Sequence, residues 1–420
     1  MKNYISNSSS LHFIFKECLQ ILVPDFHLED GQLYNSNIDS GPFYSYTPSS
    51  VFGICTIVNN YSGTLHMEIM KAVLGLEDGQ FFAGKGFGVE GECSGELVFN
   101  TQMTGYMESL TDPSYVGQIL MFTFPLIGNY GIDRQNFQNP RVCALGCITK
   151  EICEEPSAQP SIRSFFEENR LLGMSGVDTR ALTIKTRVHG TMRAALVVGS
   201  DDGDYAVKLA CRTPSISDII PIPEVSCKES YHVHGSGKRI AVLDLGMKKN
   251  MIISLAKRHG DLYIFPYDTD ADQVLACKPD ALLISNGPGD PKQATDAINC
   301  VKDLLGRLPI FGICMGIQVC ALALGGDTYK LKFGHRGANQ PVRFKDGRIF
   351  ITTQNHGFAV DVHSLPEGCR VTYTNVNDNT LEGFENTDLD LTTVQFHPEA
   401  HGGPRDTEAH FFDAMFRRIS

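Results

Sequence analysis

The chain has 420 residues, 42% of them hydrophobic and 20% charged, and a formal net charge of −12. That length holds two or three domains with a sizeable core, and the composition is that of an ordinary globular protein. The acidic balance argues against a nucleic-acid backbone as the main partner, and no apolar run reaches a membrane span, the longest (119–127) being cut by Pro125.

In chain order, residues 1–68 stand apart. They carry two basic residues, Lys2 and Lys16, several Asn and Ser, and no sustained periodicity. A mitochondrial presequence is Arg-rich, and a secretory signal shows an early basic region and a small-residue cleavage site; neither pattern is clear here. Apart from one short helix over 13–23, the segment reads as a poorly ordered extension, or as sequence upstream of a true start at Met67 or Met70. Residues 69–220 read as a smaller mixed α/β domain. Short strands are predicted over 71–77, 79–83 and 96–99 with a turn at Asp78-Gly79, and helices over 160–172 and 178–187, the second capped by Asp178. Gly79 to Lys85 fits G-x-x-x-x-G-K, but Gly86 stands where a phosphate loop needs Ser or Thr, and the segment lies in an expected hairpin, so it is read as no phosphate site. Residues 221–237, rich in Pro, Ser, Lys, His and Gly, read as a linker.

Over 238–420 the pattern changes to alternating units. Strands are predicted over 239–245, 261–266 and 281–285, helices over 249–258, 270–277 and 295–305, and a further strand runs into Cys314. Such alternation predicts an open parallel sheet wrapped on both faces, with its site beyond the carboxyl ends of the strands, where Cys314 falls. The thirteen cysteines are an odd number scattered without C-x-x-C pairs, which suits a reducing cytoplasm and no disulfide framework or zinc ribbon.

Gly312-Ile313-Cys314-Met315-Gly316 is the cysteine counterpart of a nucleophile elbow, a strand turning sharply into a helix that stops at Gly325-Gly326. Its glycines are expected to permit the tight turn and a close substrate approach, and the helix N-terminus favours thiolate over thiol. A thiol nucleophile needs a base, and the base an orienting group. Val394 to Phe396 deliver His397, with Glu399 two residues on; Pro398 breaks the strand, so the pair is expected on a turn. His356 is a rival base that spacing does not exclude. Asn286-Gly287-Pro288-Gly289 reads as a rigid turn whose amides, with that of Met315, could form an oxyanion hole. Gln354-Asn355-His356-Gly357-Phe358 suits a wall that hydrogen-bonds an amino acid.

These residues carry a resemblance. Residues 240–415 resemble a class I glutamine amidotransferase domain, with Cys314, His397 and Glu399 at the triad positions. Phe99 to Tyr106, Leu110 to Tyr115, Pro125 to Gly131, Asp178 to Leu182 and Tyr329 to Pro341 are similar to the small-subunit family of carbamoyl-phosphate synthetase, a resemblance covering roughly 70–418. It implies a flavodoxin-like amidotransferase domain preceded by the mixed domain. It also implies glutamine contacts at Ser114, Gly287, Gly289, Met315, Gln318, Asn355, Gly357 and Phe358, with no metal and no cofactor in this chain. Ammonia would pass to a separate large (ATP-grasp) subunit that uses ATP and Mg²⁺ to make carbamoyl phosphate for pyrimidine or arginine synthesis, since a chain ending at Ser420 leaves no room for that region. Two positions depart from many relatives: Met315 for Leu, acting through its amide, and Ile317 for His, expected to face away from the thiol. The rival readings are a subunit feeding anthranilate, GMP or CTP synthesis, a non-catalytic scaffolding subunit, and a stand-alone amidohydrolase.

Overall fold

The computed structural model describes residues 70–400 and 402–420, together with three short strands nearer the N-terminus. Those strands, Phe26–Glu29, Gln32–Asn35 and Tyr44–Ser45, pair antiparallel in that order. The remainder of 1–68, including the helix expected over 13–23 and the reading as an extension or upstream sequence, lies outside the described residues.

Residues Ile69–Ser420 form one compact unit. Its first part is a closed barrel of seven strands: β1 (Lys71–Leu76), β2 (Phe81–Gly88), β3 (Gly91–Asn100), β4 (Gln118–Phe122), β5 (Gly146–Ile148), β6 (Leu172–Ser175) and β7 (Met192–Val198), in the order β6-β2-β1-β7-β3-β4-β5. Side chains alternate between its faces. Leu97, Phe99, Ile119 and Met121 pack into one apolar cluster, while Val98, Leu120 and Phe122 pack into another with helix α1 (Tyr106–Leu110) and helix α2 (Ile162–Glu168). The single helix expected over 160–172 is divided here. Helix α2 stops at Asn169, Arg170 takes a left-handed φ of 54° that turns the chain, and Leu172 opens β6. Helix α3 (Thr179–His189) begins as expected on Asp178, whose side chain accepts from the Ala181 amide. The Gly79–Lys85 stretch lies in a turn and in β2, with no helix after it.

The second part is a ten-stranded sheet. Its strands are β8 (Tyr231–Val233), β9 (Arg239–Asp244), β10 (Asp261–Pro266), β11 (Ala281–Ile284), β12 (Ile310–Ile313), β13 (Thr328–Phe344), β14 (Ile349–Val360), β15 (Cys369–Asn375), β16 (Leu381–Asn386) and β17 (Leu391–Val394). The order is β8-β10-β9-β11-β12-β17-β16-β15-β13-β14. Strands β10, β9, β11, β12 and β17 are mutually parallel, as the alternation predicts. The sheet as a whole is mixed, because β16, β15, β13 and β14 extend it antiparallel. The 221–237 stretch is more than a linker. It contains a helical turn at Ile222–Val225 and the edge strand β8, which pairs with β10 and covers the ladder β10 would otherwise expose.

Helices close both faces of the parallel strands. On one side α4 (Thr295–Leu304) and α5 (Met315–Ala323) cover Leu243, Leu282, Ile284 and Ile310; on the other α6 (Asp406–Arg418) sets Phe411, Phe412 and Met415 against Val242, Leu283 and Ile313. No helix among the described residues is long and apolar enough to cross a membrane.

Candidate active site

Strands β12 and β17 lie side by side and parallel, with Ile313 opposite Val394, so both chains emerge at the same end of the sheet. Cys314 follows the first and His397 the second. The Cys314 amide donates to the Val394 carbonyl at 2.9 Å, and the side-chain amide of Gln395 donates to the Cys314 carbonyl at 3.3 Å, tying the two exits together. His397 is held from the other side, its amide donating to the Thr353 carbonyl at 2.9 Å, and it lies on a turn closed by the Ala400 amide.

Cys314 is the N-cap of α5 and takes φ 56°, ψ −101°, a conformation L-residues rarely adopt. Strain of this kind persists only where the surroundings over-determine it. The flanking glycines have a different duty from the one their conformational freedom suggests, since neither carries a positive φ. A Cβ on Gly312 would lie 2.7 Å from the Gly316 carbonyl carbon, and a Cβ on Gly316 would collide with the Ile284 carbonyl oxygen. They let the strand, the elbow and β11 pack backbone to backbone.

His397 and Glu399 are each 1% exposed, and the His397 Nδ1 lies 2.7 Å from the Glu399 Oε1. An ionised carboxylate only accepts, so Nδ1 carries a proton toward Glu399 and Nε2 is the nitrogen left to exchange one at the thiol. Nε2 has no hydrogen-bond partner. Burial opposes the charged imidazolium, as does Lys248, but Glu399 and the Cys314 thiol outweigh them and raise the His397 pKa to about 9. Burial likewise works against the Glu399 carboxylate, yet His397 and Lys248 keep its pKa below the usual value. The thiol points at the Asn355 carbonyl, 3.7 Å away. His356 is engaged elsewhere, its Nδ1 2.8 Å from the Phe358 carbonyl and its Nε2 3.1 Å from the Gln354 side chain, and burial drives its pKa well down.

The eight glutamine positions of the resemblance, Ser114, Gly287, Gly289, Met315, Gln318, Asn355, Gly357 and Phe358, all line one cavity with Cys314. Asn286 links two of its walls, its side-chain amide donating to the Ser114 hydroxyl at 3.1 Å and to the Gly246 carbonyl at 2.8 Å. Gln318 donates to the Phe358 carbonyl at 2.7 Å, fixing α5 against β14. Ile317 lies on the opposite side of α5, fully buried among Leu282, Ile284 and Val319.

Two residues of this site were not singled out by the sequence. Lys248 is buried with its Nζ 3.0 Å from Asp112 and 4.0 Å from Glu399, and Asp112 accepts from the Asn355 side chain at 2.9 Å. Burial resists a charge on Lys248, but Asp112 and then Glu399 more than compensate and raise its pKa. Asp112 is pushed up by burial and pulled further down by Lys248 and His397, so its carboxylate stays ionised. The signal for Asp112 was its place in Leu110 to Tyr115, where only Ser114 was taken up; Lys248 sits in a plain Lys-Lys pair with nothing to mark it.

Comparison with known proteins agrees with this geometry. The profile of the family Glutamine amidotransferase class-I matches residues 241–416, and that of Carbamoyl-phosphate synthase small chain, CPSase domain, matches residues 74–196. The elbow and the base thus lie in a domain of the class I glutamine amidotransferase family, and Ser114 of the preceding domain completes the cavity. The carbamoyl phosphate synthase small chains of Methanosarcina mazei and Methanosarcina acetivorans are 53% and 54% identical to it over 362 residues, spanning 83% of this chain and 98% of each relative. That of Archaeoglobus fulgidus is 47% identical over 349 residues, 82% of this chain and 97% of its own. The chain belongs to the carbamoyl phosphate synthase small chain family.

Proposed function

We propose that the chain hydrolyses glutamine for carbamoyl phosphate synthesis, with Cys314, His397 and Glu399 as its catalytic residues. His397 Nε2 takes the thiol proton, and the Cys314 sulfur then attacks the side-chain amide carbon of glutamine. The same nitrogen returns a proton to the departing ammonia, leaving a γ-glutamyl thioester. A water, deprotonated by His397, then hydrolyses the thioester to glutamate. Glu399 holds the tautomer and stabilises the imidazolium, and the backbone amides of Gly287 and Met315 receive the oxyanion of each tetrahedral intermediate. The observation that carries this reading is the shared exit of β12 and β17, which brings a strained cysteine together with a histidine oriented by a buried carboxylate.

This chemistry calls for no metal or cofactor in the chain. Ammonia would be used by a large ATP-grasp subunit, which consumes ATP with Mg²⁺, in the cytoplasm. Replacing Cys314 with Ala in the complex should abolish carbamoyl phosphate synthesis from glutamine and spare synthesis from added ammonia. Loss of both, with the complex intact, would refute the assignment. Glutamate release that is complete without the partner and indifferent to it would favour a stand-alone amidohydrolase.

A further inference from the structure

His232 and His234 stand two apart at the edge of the sheet, where β8 ends. Strand β8 pairs antiparallel with β10, His232 opposite Tyr263 and Val233 opposite Leu262, so the next step along the ladder brings His234 opposite Asp261. Alternation then sorts the side chains. Val233 and Leu262 join the apolar cluster under α6, and the two histidines and Asp261 share the other face. With one nitrogen from each ring and one carboxylate oxygen, three donors lie within 4.8 Å of one another. Two of the side chains already touch, the His232 Nε2 standing 2.6 Å from the Asp261 Oδ1. A tetrahedral ion bound at about 2.0–2.2 Å holds its donors roughly 3.3 Å apart, so small side-chain rotations close the set.

The group is also oriented from outside, as metal-binding side chains commonly are. The His232 ring stacks on Tyr263 with centroids 4.2 Å apart. Asp261 Oδ2 meets Arg239 Nε at 3.4 Å, and Arg239 is anchored in turn by Nη1 on the Cys277 carbonyl at 2.6 Å. That leaves Oδ1 toward the histidines, where the Gly235 amide also donates at 3.3 Å. The pairing of His232 with Asp261 does not account for His234. Its ring meets the His232 ring edge-on, centroids 4.0 Å apart, and among the described residues no hydrogen bond reaches it.

We propose that His232, His234 and Asp261 bind one divalent transition-metal ion of the zinc class. Two imidazoles and a carboxylate suit zinc and its neighbours, whereas magnesium and calcium call for oxygen ligands. The ion ties the edge strand β8 to β10. None of the three residues lines the cavity of Cys314, so this site is separate from the glutamine chemistry and does not rest on it.

The test is zinc binding by the full chain, stripped of metal with a chelator and titrated calorimetrically beside His234→Ala and Asp261→Asn. The unaltered chain should bind one zinc whose affinity falls about 100-fold or more in each variant, and magnesium at the same concentration should give no such binding. Thiols also take up zinc, but they are common to all three proteins and cancel in the comparison. His234 is exposed and holds no hydrogen bond, so His234→Ala keeps the fold and carries the test if Asp261→Asn does not. Equal zinc stoichiometry and affinity in the unaltered chain and His234→Ala would overturn the proposal. So would magnesium binding as tight as that of zinc and equally sensitive to His234→Ala.

Discussion

The backbone packing behind the elbow gives a sharp prediction for Gly316→Ala. The added methyl would sit under 3.0 Å from the Ile284 carbonyl oxygen, 3.1 Å from its carbonyl carbon and 3.2 Å from its Cβ. The oxygen belongs to the end of β11, fixed by its pairing with β9 and β12, so no flexible side chain can yield. Restoring an ordinary contact requires a shift of about 1 Å between β11 and the first turn of α5. Alanine in a helix gains up to about 1 kcal/mol over glycine, whereas overpacking against a rigid neighbour costs about 1 to 3 kcal/mol, so a net destabilisation near 1 to 2 kcal/mol is expected. The catalytic cost should be larger. Cys314 is two residues away, and a displacement of about 1 Å at a nucleophile lowers the rate on the order of 100-fold. Glutamate release by the complex, ammonia-dependent synthesis and thermal melting should be read together. The expected pattern is a large loss of the first, retention of the second and a small fall in the third. Gly325→Ala is the control, because Gly325 has φ 87° with nothing within 4 Å of its Cβ direction; it should cost about 1 to 2 kcal/mol of backbone strain and leave turnover intact. Turnover by Gly316→Ala within threefold of the unaltered complex would refute the packing argument.

Three further outcomes follow from the buried charges. Glu399→Gln should lower kcat by about 10² to 10⁴ with little change in KM, because it removes the group that orients His397; a KM effect alone would contradict that role. Lys248→Met should destabilise the chain by about 3 to 5 kcal/mol in urea unfolding, since it strands Asp112 and Glu399 as buried anions, and adding Asp112→Asn should recover part of the loss. His335 is nearly buried between Asp378 at 2.7 Å and Glu382 at 3.3 Å; burial opposes its charge, but these carboxylates raise its pKa to about 9. A histidine raised in the folded state contributes stability that is full below its unfolded pKa of about 6.5 and lost as pH rises toward 9, here up to about 3 kcal/mol. Urea midpoints of the unaltered chain should therefore fall over that interval more steeply than those of His335→Asn, and parallel curves would count against the pair.

How much of this was legible depended on whether the relevant contact was local. The strand-helix alternation after residue 238 is written in short-range hydrophobic periods, and the five parallel strands follow it. The antiparallel extension was not, since β13 and β14 are long strands held by pairing across the sheet, with glycines and bulges that blur their alternation. The barrel was harder still. Its closure depends on β6 meeting β2 and β5, segments whose separation in sequence leaves no local trace, and β5 is three residues long. The turn at Arg170 was hidden because a left-handed arginine carries no compositional mark of the kind glycine leaves.

The site shows the same division in a more instructive form. Cys314 stands in a patterned elbow, and His397 and Glu399 stand two apart after an apolar strand, so each announces itself within a few residues. Lys248 does not, because its significance is created by Asp112 from the barrel half and Glu399 from the far end of the chain. Arg336 is the same case: only the fold reveals that its charge is buried beside the cavity. Groups that make and break bonds are thus readable from local sequence here. Groups that set the field around them become visible only once distant segments are brought together. Substitutions at Lys248 should accordingly alter stability and leave the elbow itself in place.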